Sequence, residues 1–420
     1  MDATTFAAKT VGTNGLEQIT HEIDNTLQVD NKFATEYRYR GGDSVVKNYV
    51  TFNNETWRII GVIPTEDTEG KVENRIKIIK DESIGNYVWD SDNAIAYNYK
   101  NDDSIRILEN HNINSNDMNN LIENDKKYNI IQTAPEVPVC ENCGNNWARP
   151  SALNTYLNDK YYNTLNTDAK NMIGTTKYYL GGSGKNITTD TMWQYERKND
   201  ANRTGYYYGS NPVMQSDANK KIALMYASDY GYGASKECTS NLYNYNGSAN
   251  CKTTNNWLDK SENTWLLPQH PSFKIYALYV TSSGYIDDGY NEGITTLRDE
   301  NLVRPVLSLS SNIQILGGKG TSDKPYQLDF SNKVPIITNV VGVETMGTAV
   351  FYVLPSKYEI TGYIATDTDT KPDLNDSKWT NVVNSCTDFT SGTKYFWVKD
   401  SAGNISDPYK GYLPADPRCN

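Results

Sequence analysis

Six cysteines constrain this chain most, because each local pair fixes where a loop can close. They are Cys140, Cys143, Cys238, Cys251, Cys386 and Cys419, and neighbours in sequence are separated by 3, 13 and 33 residues. An even count with local spacing is the pattern of structural disulfides made in an oxidising compartment. The expected bonds are Cys140–Cys143, Cys238–Cys251 and Cys386–Cys419. Cys140-Glu141-Asn142-Cys143 also admits metal or redox chemistry. A zinc site needs about four ligands, and no second such spacing or His-x-x-x-His accompanies it. A thioredoxin-type pair opens a helix after a strand. This pair instead follows Ala134-Pro135-Glu136-Val137-Pro138 and precedes Gly144-Asn145-Asn146. Structural bonding is the favoured reading, and it places the protein outside the cell, at the cell surface.

The 420 residues leave room for two or three domains, and 37% hydrophobic content supports a packed core. A net charge of −11 argues against nucleic acid, whose phosphates need a basic face, and against docking on an anionic membrane. No hydrophobic run reaches the roughly 18 residues of a membrane span. Two residue types are over-used, with 32 Tyr and 49 Asn. Both suit exposed polar binding faces, since Tyr offers a rigid ring with a hydroxyl and Asn both donates and accepts. Base composition of an AT-rich genome explains the same excess.

The first 42 residues read as a short polar, partly helical lead. A β pattern follows. Tyr49–Phe52 and Trp57–Ile63 flank Asn53-Asn54-Glu55 as a hairpin, and Arg75–Lys80 reads as a third strand. Residues 91–130 are Asn- and Asp-rich and read as a long surface excursion. Leu153, Tyr156, Leu157 and Tyr161 form a helical stripe, and Thr167 caps a short helix closed by Gly174. Strand-like runs at 274–280 and 303–309 close this part. From about Lys333, strand-like runs at 335–341, 349–354, 360–365 and 395–399 recur between turns, the rhythm of a small β-sandwich.

Several ordered stretches resemble a large family of surface proteins from Gram-positive bacteria. They are Asn48–Val62, Asp81–Tyr87, Ala223–Tyr232, Trp265-Leu266-Leu267-Pro268 and Val303-Arg304-Pro305-Val306-Leu307. The resemblance covers about residues 37–330. A Trp-Leu-x-Pro turn, a Tyr-rich hairpin and a closing Arg-Pro-Val strand are also similar to the C-type-lectin-like or sulfatase-modifying-factor fold. Lys394–Ile405 resembles the penultimate hairpin of bacterial immunoglobulin-like modules. These likenesses imply an α+β, C-type-lectin-like head over residues 1–332 and an all-β immunoglobulin-like sandwich over 333–420. They also imply that Arg304 supports the core. The chain departs from the calcium-dependent lectins, because Glu-Pro-Asn, Gln-Pro-Asp and Trp-Asn-Asp are all missing.

No Gly-x-Ser-x-Gly, phosphate loop or His-Glu-x-x-His occurs. His21, His111 and His270 are scattered. Gly181-Gly182-Ser183-Gly184-Lys185 looks phosphate-like but lacks the required spacing. Asp287-Asp288 with Asn291-Glu292, and Asp299-Glu300, offer oxygen ligands to calcium, although a solvated acidic loop is the simpler reading. The expected function is therefore binding rather than catalysis, with no cofactor. The chain reads as an adhesin that recognises a glycan or a surface protein through tyrosine-rich loops. The expected binding face is Gln269, His270, Ser272, Tyr285, Asp287, Asp288, Tyr290 and Asn291, with the Tyr226–Tyr232 segment as the alternative. A pilin-like assembly subunit and an enzyme on the sulfatase-modifying-factor fold are the rival readings.

Overall fold

The computed structural model describes residues 1–27, 29–67, 70–89, 147, 152–182, 184–197, 213–215, 221–269, 276–289, 299–330, 334–386 and 389–418. Helix α1 (Ala3–Thr10) opens the chain, and the Asp2 carboxylate accepts the Thr5 N–H at 2.8 Å to cap it. Strands β1 (Leu16–Thr20) and β2 (Thr35–Tyr39) pair antiparallel. The expected hairpin is present as β3 (Tyr49–Phe52) and β4 (Glu55–Glu66), and β5 (Val72–Lys80) returns along β4. Asn53 and Asn54 both lie at positive φ, 55° and 59°, which a two-residue type I′ turn requires and Asn tolerates.

Strand β6 (Asn86–Tyr87) precedes helix α2, which runs as Ala152–Thr155, a π turn Tyr156–Tyr161 and Tyr162–Thr164. Helix α3 (Thr167–Met172) starts one residue earlier than expected, since the cap is Asn166, whose side chain accepts the Ala169 N–H. Next come β7 (Lys177–Tyr179), α4 (Thr189–Arg197), β8 (Val213–Gln215) and α5 (Ala227–Gly233). The lobe closes with β9 (Thr264–Gln269), β10 (Ala277–Val280), β11 (Ile286–Asp287), β12 (Asn301–Leu302), β13 (Val306–Ser308), β14 (Ile313–Gly317) and β15 (Gln327–Phe330).

One sheet has the order β1-β2-β4-β5-β13 with β3 on β4, and another the order β11-β10-β9-β12-β6. The core between them includes Trp57, Trp89, Trp147, Trp257 and Trp265, all fully buried. The N-terminal segment belongs to this core rather than leading up to it. Phe6, Ala7 and Leu16 are buried in it, and the Met1 ammonium donates to the Ile315 carbonyl at 2.7 Å. Trp265-Leu266-Leu267-Pro268 lies within strand β9 and is not a turn.

Beyond residue 333, β16 (Ile336–Val343) pairs with β17 (Thr348–Leu354), and β18 (Ile360–Thr366), β19 (Gly392–Asp400) and β20 (Tyr409–Leu413) form a three-stranded sheet. Their separate core holds Ile337, Ile364, Phe396, Trp397, Val398 and Leu413. The chain as a whole is rich in strand with a few short helices. Cys238 and Cys251 are disulfide-bonded to each other, as expected from their spacing. Cys386 is also half of a disulfide, while Cys140, Cys143 and Cys419 lie outside the described residues.

Candidate functional site

The expected binding face resolves only in part. Gln269 is the last residue of β9, and His270, Ser272, Tyr290 and Asn291 lie outside the described residues. Tyr285 is half-buried, with its ring edge-on to Tyr243 at 5.3 Å. Asp287 is only 1% exposed. It accepts from the Lys185 ammonium at 2.5 Å and from the Asp288 N–H at 2.6 Å, and Asp288 stands 3.1 Å from the same ammonium. Lys185 also sits 4.5 Å from the centre of the Tyr243 ring. Burial opposes its charge, but the hydrogen bonds to Asp287 and Asp288 outweigh burial and hold its pKa above the ordinary lysine value. The glycine-rich stretch before Lys185 therefore delivers a lysine to a buried ion pair, and the two aspartates answer an internal cation. Among the described residues no group of three or more His, Cys, Asp or Glu is placed to hold a metal ion.

The alternative segment is not an exposed loop. Residues 227–233 form α5, and every residue of it is buried. Its tyrosines are core residues with tied hydroxyls. Tyr226 donates to the Tyr179 carbonyl at 2.8 Å, and Tyr230 to the Gly284 carbonyl at 2.9 Å. Tyr276 and Tyr279 are likewise buried. Much of the tyrosine excess thus builds the interior, where a ring fills volume and its hydroxyl satisfies a backbone carbonyl.

Helix α5 instead anchors a buried charge network. Asp229 accepts from Arg38, from Lys77 at 2.5 Å and from the Tyr226 N–H at 2.8 Å. Arg38 reaches Glu36 through Nε at 2.7 Å, and Glu36 lies 3.1 Å from His21 Nε2. His21 Nδ1 meets Asp190 at 2.6 Å, and the imidazole stacks on Trp193 at 3.6 Å. Both ring nitrogens are thus engaged by carboxylates, which leaves none free to act on a substrate. Beside them Glu196 accepts from the Ser228 N–H at 2.9 Å and from the Ser228 hydroxyl. Burial raises the Glu196 pKa to about 7. With His21 protonated and Glu196 ionised, the four cations His21, Arg38, Lys77 and Arg197 balance the four anions Glu36, Asp190, Glu196 and Asp229.

An open cleft of about 1030 Å³ separates the N-terminal lobe from β17 and β18. Its N-terminal wall carries Arg75, held by Glu73 at 3.3 Å and Asp67 at 3.5 Å, so this end is charge-balanced. The other end is not. Lys170 and Lys221 lie 5.4 Å and 5.9 Å from the centre of the Tyr162 ring. Neither has a carboxylate partner among the described residues. The Lys170 ammonium donates to the Asn163 carbonyl at 3.3 Å. Lys221 is half-buried, and burial alone depresses its pKa. Its backbone is fixed, because the Lys221 carbonyl accepts from Tyr178 Oη at 2.9 Å and the next N–H, of Ile222, donates to Asn158. The facing wall is formed by Val350 to Pro355 with Glu359, Ile360 and Tyr363. Sequence reading missed this site, because Lys170 and Lys221 lie 51 residues apart and neither sits in a motif. No protein-family model matches the chain, and no curated protein or solved structure matches it.

Proposed function

We propose that this chain is an extracellular bacterial surface protein that binds its ligand, a glycan or a protein segment, in the cleft between its two lobes. The N-terminal lobe is read as C-type-lectin-like and the C-terminal lobe as immunoglobulin-like, in keeping with the resemblances in sequence. The observation that carries the reading is the pair Lys170 and Lys221 beside Tyr162, neither with a carboxylate partner among the described residues. A lysine held partly out of water without a counter-charge costs stability, and a bound anion offsets that cost. The cleft also has the size and the mixed aromatic and charged lining of a ligand site. The test is a screen of the purified chain on a glycan array and a peptide array, repeated with the double variant Lys170→Gln/Lys221→Gln. Ligands of the cleft should lose about tenfold in affinity, each lysine supplying up to about 1 kcal/mol at a partly solvated site. Ligands retained at full strength would place the site elsewhere.

One observation favours an assembly subunit as the second reading. Ile336, Val341, Met346, Val350 and Tyr412 are exposed on the C-terminal lobe. Sedimentation separates the two, since a subunit associates with rising concentration and a binder of free ligand stays monomeric.

A further inference from the structure

Among the described residues, part of the β17 edge that lines the cleft has no neighbouring strand. Strand β17 pairs with β16 on one side. On the other side the Ala349 N–H donates to the Val383 carbonyl at 3.1 Å, and the Gly347 carbonyl accepts from the Ser385 N–H at 2.8 Å. Backbone groups alternate along a strand, so the N–H and C=O of Phe351 and Val353 point the same way as those of Ala349. The chain that covers Ala349 then leaves β17, and Thr380 pairs instead with Tyr363 of β18. Between Val350 and Leu354 no described strand lies beside β17 on this side. Both residues that present this edge, Phe351 and Val353, line the cleft.

Unpaired strand edges are templates for another chain, and natural proteins usually blunt them with charge, proline or a cover. Here Val350 is 44% exposed, as is its cross-strand neighbour Val341, and Pro355 comes only at the strand's end. Lys170 and Lys221 line the same cleft, as does Glu359, and among the described residues no carboxylate pairs with either lysine. An apolar edge in a cleft that also holds two lysines, unpaired with carboxylates among the described residues, is complementary to a strand that alternates apolar and acidic side chains. A sugar uses the lysines but leaves the strand edge unanswered, so the edge decides between the two ligand classes.

We propose that the ligand of the cleft is an extended acidic peptide segment of a partner protein, added as a strand to the free edge of β17 with its carboxylates on Lys170 and Lys221. This rests on the cleft reading above and specifies its ligand. Main-chain hydrogen bonds to Phe351 and Val353 supply affinity, and the lysines supply selection for acidic sequences.

The experiment uses the whole chain and four probes: a capped (Val-Glu)5 peptide, its (Val-Lys)5 counterpart, a (Val-Glu)5 peptide N-methylated at every valine, and an oligogalacturonate. Fluorescence anisotropy reads the labelled peptides, and calorimetry reads the sugar. (Val-Glu)5 should bind, the other two peptides should bind at least tenfold more weakly, and Lys170→Gln/Lys221→Gln should weaken (Val-Glu)5 about tenfold. Amide exchange across 350–354 should slow when (Val-Glu)5 is added. Equal binding of the N-methylated peptide, or unchanged exchange at 350–354, overturns strand addition. Lysine-dependent binding of the sugar without peptide binding overturns the peptide ligand and leaves the cleft reading standing. Failure of every probe overturns both.

Discussion

At the scale of single residues, buried cations without mobile partners set much of the behaviour of this protein. Arg304 is 1% exposed and donates to the Lys80 carbonyl and the Leu258 carbonyl, each at 3.0 Å. Burial brings its pKa down to about 10, and it remains charged at neutral pH. The guanidinium joins β5 to the segment before β9 through two of its nitrogens, a spread that a lysine, whose donors all sit on one nitrogen, does not reproduce. Arg304→Lys should therefore lower stability by about 2 kcal/mol or more, read by chemical denaturation, and leave ligand affinity at the cleft unchanged. The charge network around α5 adds a pH dependence of definite sign. Glu196 titrates at about 7 folded against 4.5 for an ordinary glutamate, so its contribution is full below pH 4.5 and fades as pH rises through 7. For His21, burial lowers the pKa but the Asp190 and Glu36 contacts outweigh it and raise it above 6.5, so its contribution also fades with rising pH. Glu36, Asp190 and Asp229 resist burial through their cations and are depressed, so their contribution is lost only as pH falls below the ordinary carboxylate range. Stability should peak near pH 5 and decline toward pH 8. Glu196→Gln should flatten that decline, by up to roughly 3 kcal/mol at pH 8. Denaturation midpoints of both proteins from pH 4 to pH 8 check this, and parallel curves would contradict it.

At the scale of elements, close backbone approach sets the geometry of the main sheet. Gly61 lies in β4 opposite Arg38 of β2, next to a register shift between Ile59 and Gly61. A Cβ there would fall 2.0 Å from the Tyr37 carbonyl oxygen. No rotamer relieves a clash with backbone, so Gly61→Ala should part β2 from β4 and cost about 3 kcal/mol or more, visible as loss of soluble protein or a large drop in Tm. The reading of elements from sequence succeeded where local chemistry decides. Asn53 and Asn54 announce the β3–β4 hairpin, and the stripe from Leu153 to Tyr161 announces α2. It failed where pairing partners are distant. Strand β1 pairs with β2 across the polar segment between them, and β20, read as tail, is a strand only because β19 lies beside it. The same logic governs the sites. Asp287 and Asp288 read as solvent-facing ligands because nothing nearby neutralises them, yet Lys185 reaches them from 102 residues away. Lys170 and Lys221 carry no signal at all, since what marks them is that no carboxylate among the described residues pairs with them.

At the scale of the whole molecule, the main hydrophobic core, drawn from residues 3–330, shares no residue with the core drawn from 337–413, and a smaller cluster around Trp193 also lies on the N-terminal side. Across the cleft, Asn312 Nδ2 donates to the Pro355 carbonyl at 2.8 Å, a polar tie beside a cavity of about 1030 Å³. Such a boundary transmits little stability, because cooperativity in unfolding follows shared buried surface, and a solvated cleft removes surface from sharing. The lobes should therefore unfold separately. Calorimetry of the whole chain should show two transitions, the smaller belonging to the C-terminal lobe, and Asn312→Ala should leave both midpoints nearly unmoved. A ligand that lies in the cleft touches both lobes, and it stabilises each in proportion to its occupancy of the folded form. Adding (Val-Glu)5 should raise both midpoints together and draw them closer. A rise in one midpoint alone would mean that the peptide meets only one wall of the cleft, and a single transition in the free protein would mean that the lobes already act as one folding unit.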